Sequence, residues 1–158
     1  EDGIRARSPS RGLGDVYKRQ INEFNAKTMV GHIGIEIMEV GENFVSGRMP
    51  VDERTTQPYG LLHGGASVAF AESLGSLAGS LHVDLEKVAV VGIEINANHL
   101  KSVRSGWVYG KATPVKIGKR IQVWNINITN EDNEDVCISR LTLAVVKSEK
   151  YNNSFTKE

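Results

Sequence analysis

The stretch QPYGLLHGGASVAFAESLGSL, residues 57–77, decides how the chain is read. Between residues 60 and 81 the only formally charged side chain is Glu72, and His63 is the one other titratable group. Ala and Leu favour a helix here, while Gly75 and Gly79 each oppose it by about 1 kcal/mol relative to Ala. The run is longer than an ordinary strand, so the reading is a helix over residues 64–81. A carboxylate among Leu, Ala, Val and Phe is costly to desolvate and so needs a partner or a purpose.

On a helix Glu72 shares its face with Val68 and Ala69 one turn before and with Gly75 and Ser76 one turn after. The small residues leave room beside the carboxylate, and Ser76 offers a hydroxyl to the same space. Gly64 and Gly65 open the helix, where backbone N–H groups lack intrahelical acceptors. Such donors, aided by the helix dipole, suit a developing oxyanion. Yet Gly64 and Glu72 are eight residues apart, about 12 Å at 1.5 Å per residue. A nucleophile and an oxyanion donor must both lie near one reacting group. Two antiparallel copies of the helix related by a two-fold axis would pair Glu72 of one with Gly64 of the other. The plainer alternative is a structural Glu72, satisfied by backbone N–H groups or an Arg. Taken singly, His63 is a polar helix start, Gly64-Gly65 a turn and Gln57 part of a loop.

Around the helix the pattern turns to strands. Two precede it, at 35–40 and 44–51, joined by a Gly41-Glu42-Asn43 turn. Four follow, at 88–99, 106–115, 119–129 and 136–146. VVGIEINANHL alternates, which puts Val91, Ile93, Ile95 and Ala97 on one face and Glu94, Asn96 and Asn98 on the other. NEDNED, residues 130–135, reads as a solvated hairpin tip. One nearly all-apolar helix on a mostly antiparallel sheet is an α+β fold.

The chain has 158 residues, enough for one domain. With 40% apolar and 24% charged residues the composition is that of a soluble globular protein. Lys and Arg number 19 and Asp and Glu 19, so no global basic field points to nucleic acid. Gly75-x-x-x-Gly79 resembles a membrane pairing motif, but Glu72 at mid-span and the amphipathic strands that follow argue against a membrane helix. Residues 1–20, EDGIRARSPSRGLGDVYKRQ, lack apolar periodicity and a signal-like core. They read as a disordered tail or a sequence foreign to the domain, such as an assembly remnant. The domain is expected to span 21–147, with 148–158 a C-terminal tail.

Competing chemistries find little support. GASVA, residues 65–69, lacks the last glycine of a nucleophile elbow, and it follows a loop where that motif expects a strand. Neither a P-loop nor a dinucleotide-binding fingerprint is present. His32, His63, His82 and His99 show no metal-ligand spacing, and the single Cys137 excludes multi-cysteine metal sites and internal disulfides. No cofactor or metal is expected, and a lone cysteine fits a reducing compartment.

QPYGLLHGGASVAFAESLGS, followed by VGIEINANHLKS and GKRIQVWNINI, resembles the hotdog-fold acyl-CoA thioesterases over about residues 21–147. It is most similar to the branch of 1,4-dihydroxy-2-naphthoyl-CoA hydrolases and 4-hydroxybenzoyl-CoA thioesterases with the carboxylate on the helix. The resemblance implies a long central helix wrapped by a mostly antiparallel sheet of five to six strands. It also implies that Glu72 is the catalytic carboxylate, as nucleophile or as general base, and that the Gly64 N–H polarises the thioester carbonyl. Gln57 would orient the substrate or the attacking water, His63 would contact the thioester region, and Ser76 would supply the hydroxyl one turn beyond.

The expected partner is an acyl-CoA, bound by a homodimer with shared sites or by a tetramer of such dimers. Neither nucleic acid nor a membrane is expected as a partner. Lys101, Arg104, Lys119 and Arg120 are candidates for the CoA phosphates, each against the alternative of plain surface charge. The expected activity is cytoplasmic hydrolysis of an aromatic acyl-CoA, with 1,4-dihydroxy-2-naphthoyl-CoA the leading substrate. The alternatives are a broad-range phenylacetyl- or medium-chain acyl-CoA thioesterase and a non-catalytic acyl-CoA-binding module. A hotdog hydratase is disfavoured, because the His-and-Asp chemistry it carries on the helix is absent.

Overall fold

The computed structural model describes residues 11–148. The first half of the expected N-terminal tail, 1–10, and nearly all of the C-terminal one, 149–158, lie outside the described residues. Residues 11–20 of that expected tail are helical, forming the first part of α1 (Arg11–Asn25), a helix not expected from the sequence. The anchor of this helix lies at its C-terminal end. Ile21 packs against the core, and the Asn22 side chain bonds both backbone groups of Ile37, donating to its C=O at 3.0 Å and accepting from its N–H at 2.8 Å. A helix nucleated there propagates backwards at little further cost. A four-residue helix α2 (Met29–His32) follows, also unforeseen from the sequence.

The remaining elements are β1 (Glu36–Val40), β2 (Val45–Pro50), α3 (Gly64–Ser80), β3 (Val88–His99), β4 (Trp107–Ile117), β5 (Ile121–Thr129) and β6 (Asp135–Lys147). All six strands form one sheet in the order β1-β2-β4-β5-β6-β3, and every pairing is antiparallel. Between β2 and β3 the chain crosses the sheet as α3, so β3 ends at the far edge with β6 as its neighbour. This is the hotdog arrangement that the resemblance implies, a long helix held against an antiparallel sheet.

Phe70, Ala71, Leu74 and Ala78 of α3 are buried against Val108, Ala112, Trp124, Ile126, Leu141 and Leu143 of the sheet. The two helix-opposing glycines find their reason here. A Cβ on Gly75 would lie 2.6 Å from a Leu141 methyl, and one on Gly79 2.5 Å from a Leu143 methyl. The spacing that resembles a membrane motif instead lets α3 lie close on its own sheet. Among the described residues no helix is long and apolar enough to cross a membrane.

One expected pattern is wrong. The sequence puts Val91 and Ile93 on the same face as Ile95 and Ala97. The pairing of β3 with β6 slips between Gly92 and Glu94, so Ile93 is an extra, bulged residue. The bulge reverses the alternation. Val90, Ile95 and Ala97 pack against the core, while Val91 and Ile93 are 39% and 58% exposed.

Candidate active site

His63 is the N-cap of α3, with extended backbone, and its Nδ1 accepts the Gly65 N–H at 2.8 Å. The His63 carbonyl accepts from Ala66 at 3.0 Å and Ser67 at 3.2 Å. The Gly64 N–H, by contrast, meets no acceptor among the described residues. The helix start thus presents one unpaired donor, on a residue without a side chain to screen it. Its surroundings are fixed by the loop before it. The His63 N–H donates to Thr55 O at 2.8 Å, the Leu62 N–H to Val103 O at 2.7 Å and the Gln57 N–H to Leu61 O at 2.8 Å.

Gln57 is half-buried in that loop, and its side-chain oxygen accepts the Tyr59 N–H. With Oε1 engaged, the group left for a ligand is the Nε2 amide, which can only donate. The same logic applies to His63. Acceptance at Nδ1 leaves the neutral ring's proton on Nε2. Gln57, His63 and Gly64 therefore contribute donors around one helix end.

Glu72 is half-buried two turns further along α3. Its carboxylate lies against β3, where Oε1 is 2.7 Å from the point a Cβ on Gly92 would occupy. Among the described residues it has neither a hydrogen bond nor an ion pair, so the structural alternative lacks the backbone N–H or Arg it requires. Ser76, one turn on and also half-buried, keeps its hydroxyl on the Glu72 side of the helix.

Within one chain these groups form two sets. Gln57, His63 and Gly64 stand at the start of α3, and Glu72 and Ser76 about 12 Å further along it. The strand alongside marks the same separation. Gly64 faces His99, whose Nε2 is 2.9 Å from a Gly64 Cβ position, and Glu72 faces Gly92, seven residues earlier on β3. His99 is a member of the helix-start cluster that the sequence reading missed. It is 35 residues from Gly64, and only the pairing of β3 beside α3 brings them together. A hollow of about 420 Å³ lined by Ser46, Tyr109, Lys111 and Asn127 lies on the outer face of the sheet and borders none of these groups.

The four candidate phosphate ligands also separate. Leu100 and Lys101 donate to Val136 O at the start of β6, and Lys101 pairs with Glu134 at 2.5 Å. Arg104 follows Val103, the residue that holds the helix-start loop. Lys119 and Arg120 lie in the β4–β5 turn, where Arg120 O accepts from Val145 near the other end of β6. That is about 30 Å away at roughly 3.3 Å per residue. A single chain offers two separate basic pairs, of which Lys101 and Arg104 stand nearer Gly64.

A long helix on an antiparallel sheet, with a free N–H at the helix start and an unpaired carboxylate on the helix, defines the hotdog thioester hydrolases. Residues 59–137 match the family model described as the thioesterase superfamily, and the chain belongs to that family. It is 47% identical to the 1,4-dihydroxy-2-naphthoyl-CoA hydrolase of Escherichia coli over 136 residues, 83% of this chain and 99% of that protein. It is 45% identical to the proofreading thioesterase EntH of Cronobacter turicensis over 126 residues, 80% of this chain and 91% of that one. A crystal structure of a thioesterase from Haemophilus influenzae superposes with a TM-score of 0.81 at 50% identity, over 85% of this chain and 94% of that one. The chain is an acyl-CoA thioesterase of the hotdog family, and the non-catalytic alternative falls.

Proposed function

We propose that the chain hydrolyses an aromatic acyl-CoA, 1,4-dihydroxy-2-naphthoyl-CoA foremost, to the free acid and CoA, with Glu72 as nucleophile. The observation that carries the catalytic reading is a half-buried carboxylate without a partner, on the same helix as an unpaired N–H. A Glu72 oxygen attacks the thioester carbonyl carbon, and the negative charge gathers on the carbonyl oxygen, held by the Gly64 N–H and the Gln57 amide. Collapse breaks the C–S bond, CoA leaves as thiolate and takes up a proton, and the acyl group remains as an anhydride on Glu72. Water, placed by the Ser76 hydroxyl, splits the anhydride to the acid and restores the carboxylate. The substrate rests on likeness to the E. coli hydrolase over nearly its whole length.

The separation of about 12 Å along α3 supports a site shared between two chains. β3 is an edge strand, and the midpoint between Gly92 and His99 falls at Ile95–Asn96. Antiparallel pairing of two β3 edges about that point would bring Gly92 of one chain across from His99 of the other. Glu72 of the first would then meet Gly64 of the second. Lys101 and Arg104, beside the helix start, are the better placed pair for the CoA phosphates. A cytoplasmic setting accords with Cys137 as a buried free thiol.

The test is CoA release from 1,4-dihydroxy-2-naphthoyl-CoA, phenylacetyl-CoA and medium-chain acyl-CoAs, with Glu72→Gln alongside. The wild type should prefer the naphthoyl ester. Glu72→Gln should lose roughly a hundredfold or more in turnover while still binding substrate. Near-normal turnover of Glu72→Gln would return the carboxylate to a structural role. A preference for the aliphatic esters would leave Glu72 in place and replace the substrate.

A further inference from the structure

Resting on Glu72 as the reactive carboxylate, we propose that Gly92 is a positioning residue, and that the bulge at Ile93 exists to turn it toward the helix. Counting back from Ile95 in steps of two along an unbroken strand, Ile93 and Val91 would face α3. The extra residue changes the count, and Gly92 and Val90 face it instead. A bulge beside a reactive group that re-aims one position is a recurrent device. Here it exchanges a bulky apolar side chain for none.

Gly92 is not required by the backbone. Among the described residues the left-handed glycines are Gly34, Gly60 and Gly106, and an interior strand glycine weakens the strand it occupies. Space is the remaining reason. Among the described residues, the atoms within 4 Å of a Cβ placed there belong to the Glu72 carboxyl alone, Oε1 at 2.7 Å and Cδ at 3.9 Å. An added methyl would therefore press on the carboxylate and on no packed neighbour. Because the carboxylate ends a flexible side chain, it would move aside at little cost in stability. Its aim would change, and misplacing a reacting group by about 1 Å costs up to a hundredfold in rate.

The test is Gly92→Ala in the full chain, assayed for acyl-CoA hydrolysis beside the wild type, Glu72→Asp, the double variant, Glu72→Gln, and Val91→Ala as an outward-facing control. Gly92→Ala should lower kcat by about tenfold or more with KM within about twofold, and Val91→Ala should change neither. Glu72→Asp should cost at least about fivefold less in the Gly92→Ala background than in the wild type, because the shorter carboxylate clears the methyl. Losses that multiply, or a Gly92→Ala variant with wild-type kcat, would overturn the proposal while an inactive Glu72→Gln kept the nucleophile in place. An active Glu72→Gln would overturn both readings. Should Gly92→Ala fail to fold, recovery of folding on adding Glu72→Asp would support the proposal, and continued failure would overturn it.

Discussion

Gln57 and His63 both turn their acceptor atoms inward, one to the Tyr59 N–H and the other to the Gly65 N–H. The loop thereby fixes which end of each side chain can meet a ligand. The consequence is testable at Gln57. Glu at this position keeps the acceptor that holds Tyr59 but removes the outward N–H groups. Gln57→Glu should leave the loop folded, judged by an unchanged melting transition, and lower kcat about a hundredfold, the usual effect of losing one oxyanion donor. Full activity in that variant would remove Gln57 from the thioester oxygen. The residue types of the candidate site were legible in the sequence, because a lone carboxylate and a His-Gly-Gly helix start stand out in an apolar run. Which atoms remain free was not. That depends on who donates to whom within a few residues of loop, and composition does not carry it.

Helix α3 shows how an element can contradict its own propensities for a reason. By helix propensity, Gly75→Ala should stabilise by about 1 kcal/mol. Its new methyl, however, would lie 2.6 Å from Leu141, a fully buried side chain with no room to retreat. Overpacking of that kind costs about 1–3 kcal/mol, so the net change should be a loss of stability, measured by denaturant unfolding. A gain would show that the helix can lift from the sheet. The bounds of α3 and of β3 were readable because long apolar and alternating runs announce themselves. The bulge was hidden by that same alternation, since Val91, Ile93, Ile95 and Ala97 form an unbroken every-second-residue series. Helices α1 and α2 were hidden for the opposite reason. Gly12 and Gly14 weaken the first, four residues are too few to mark the second, and the Asn22 contacts to Ile37 join residues 15 apart in sequence.

At the scale of the whole molecule, the two-chain site proposed from the separation of about 12 Å between Gly64 and Glu72 on one helix makes its own prediction. Glu72→Ala and Gln57→Ala, each inactive alone, should complement one another when unfolded together and refolded. In a mixed dimer one site collects both defects and the other neither. Random pairing makes about half the dimers mixed, so activity should return to roughly a quarter of the wild type. No activity above either parent, with a wild-type control that recovers, would confine the site to one chain. The two edges of the sheet set a bound on such assembly. At β1 the Asn22 amide already occupies both backbone groups of Ile37 and α1 lies alongside, whereas among the described residues β3 has a neighbour only in β6. A strand edge open on both sides of a sheet invites end-on addition without limit. With one edge sealed and one open, two chains joined at β3 leave no free β3 edge for a third. In the proposed dimer, growth along the sheet would then stop at a pair, with the Asn22 clasp blocking further strand addition at β1.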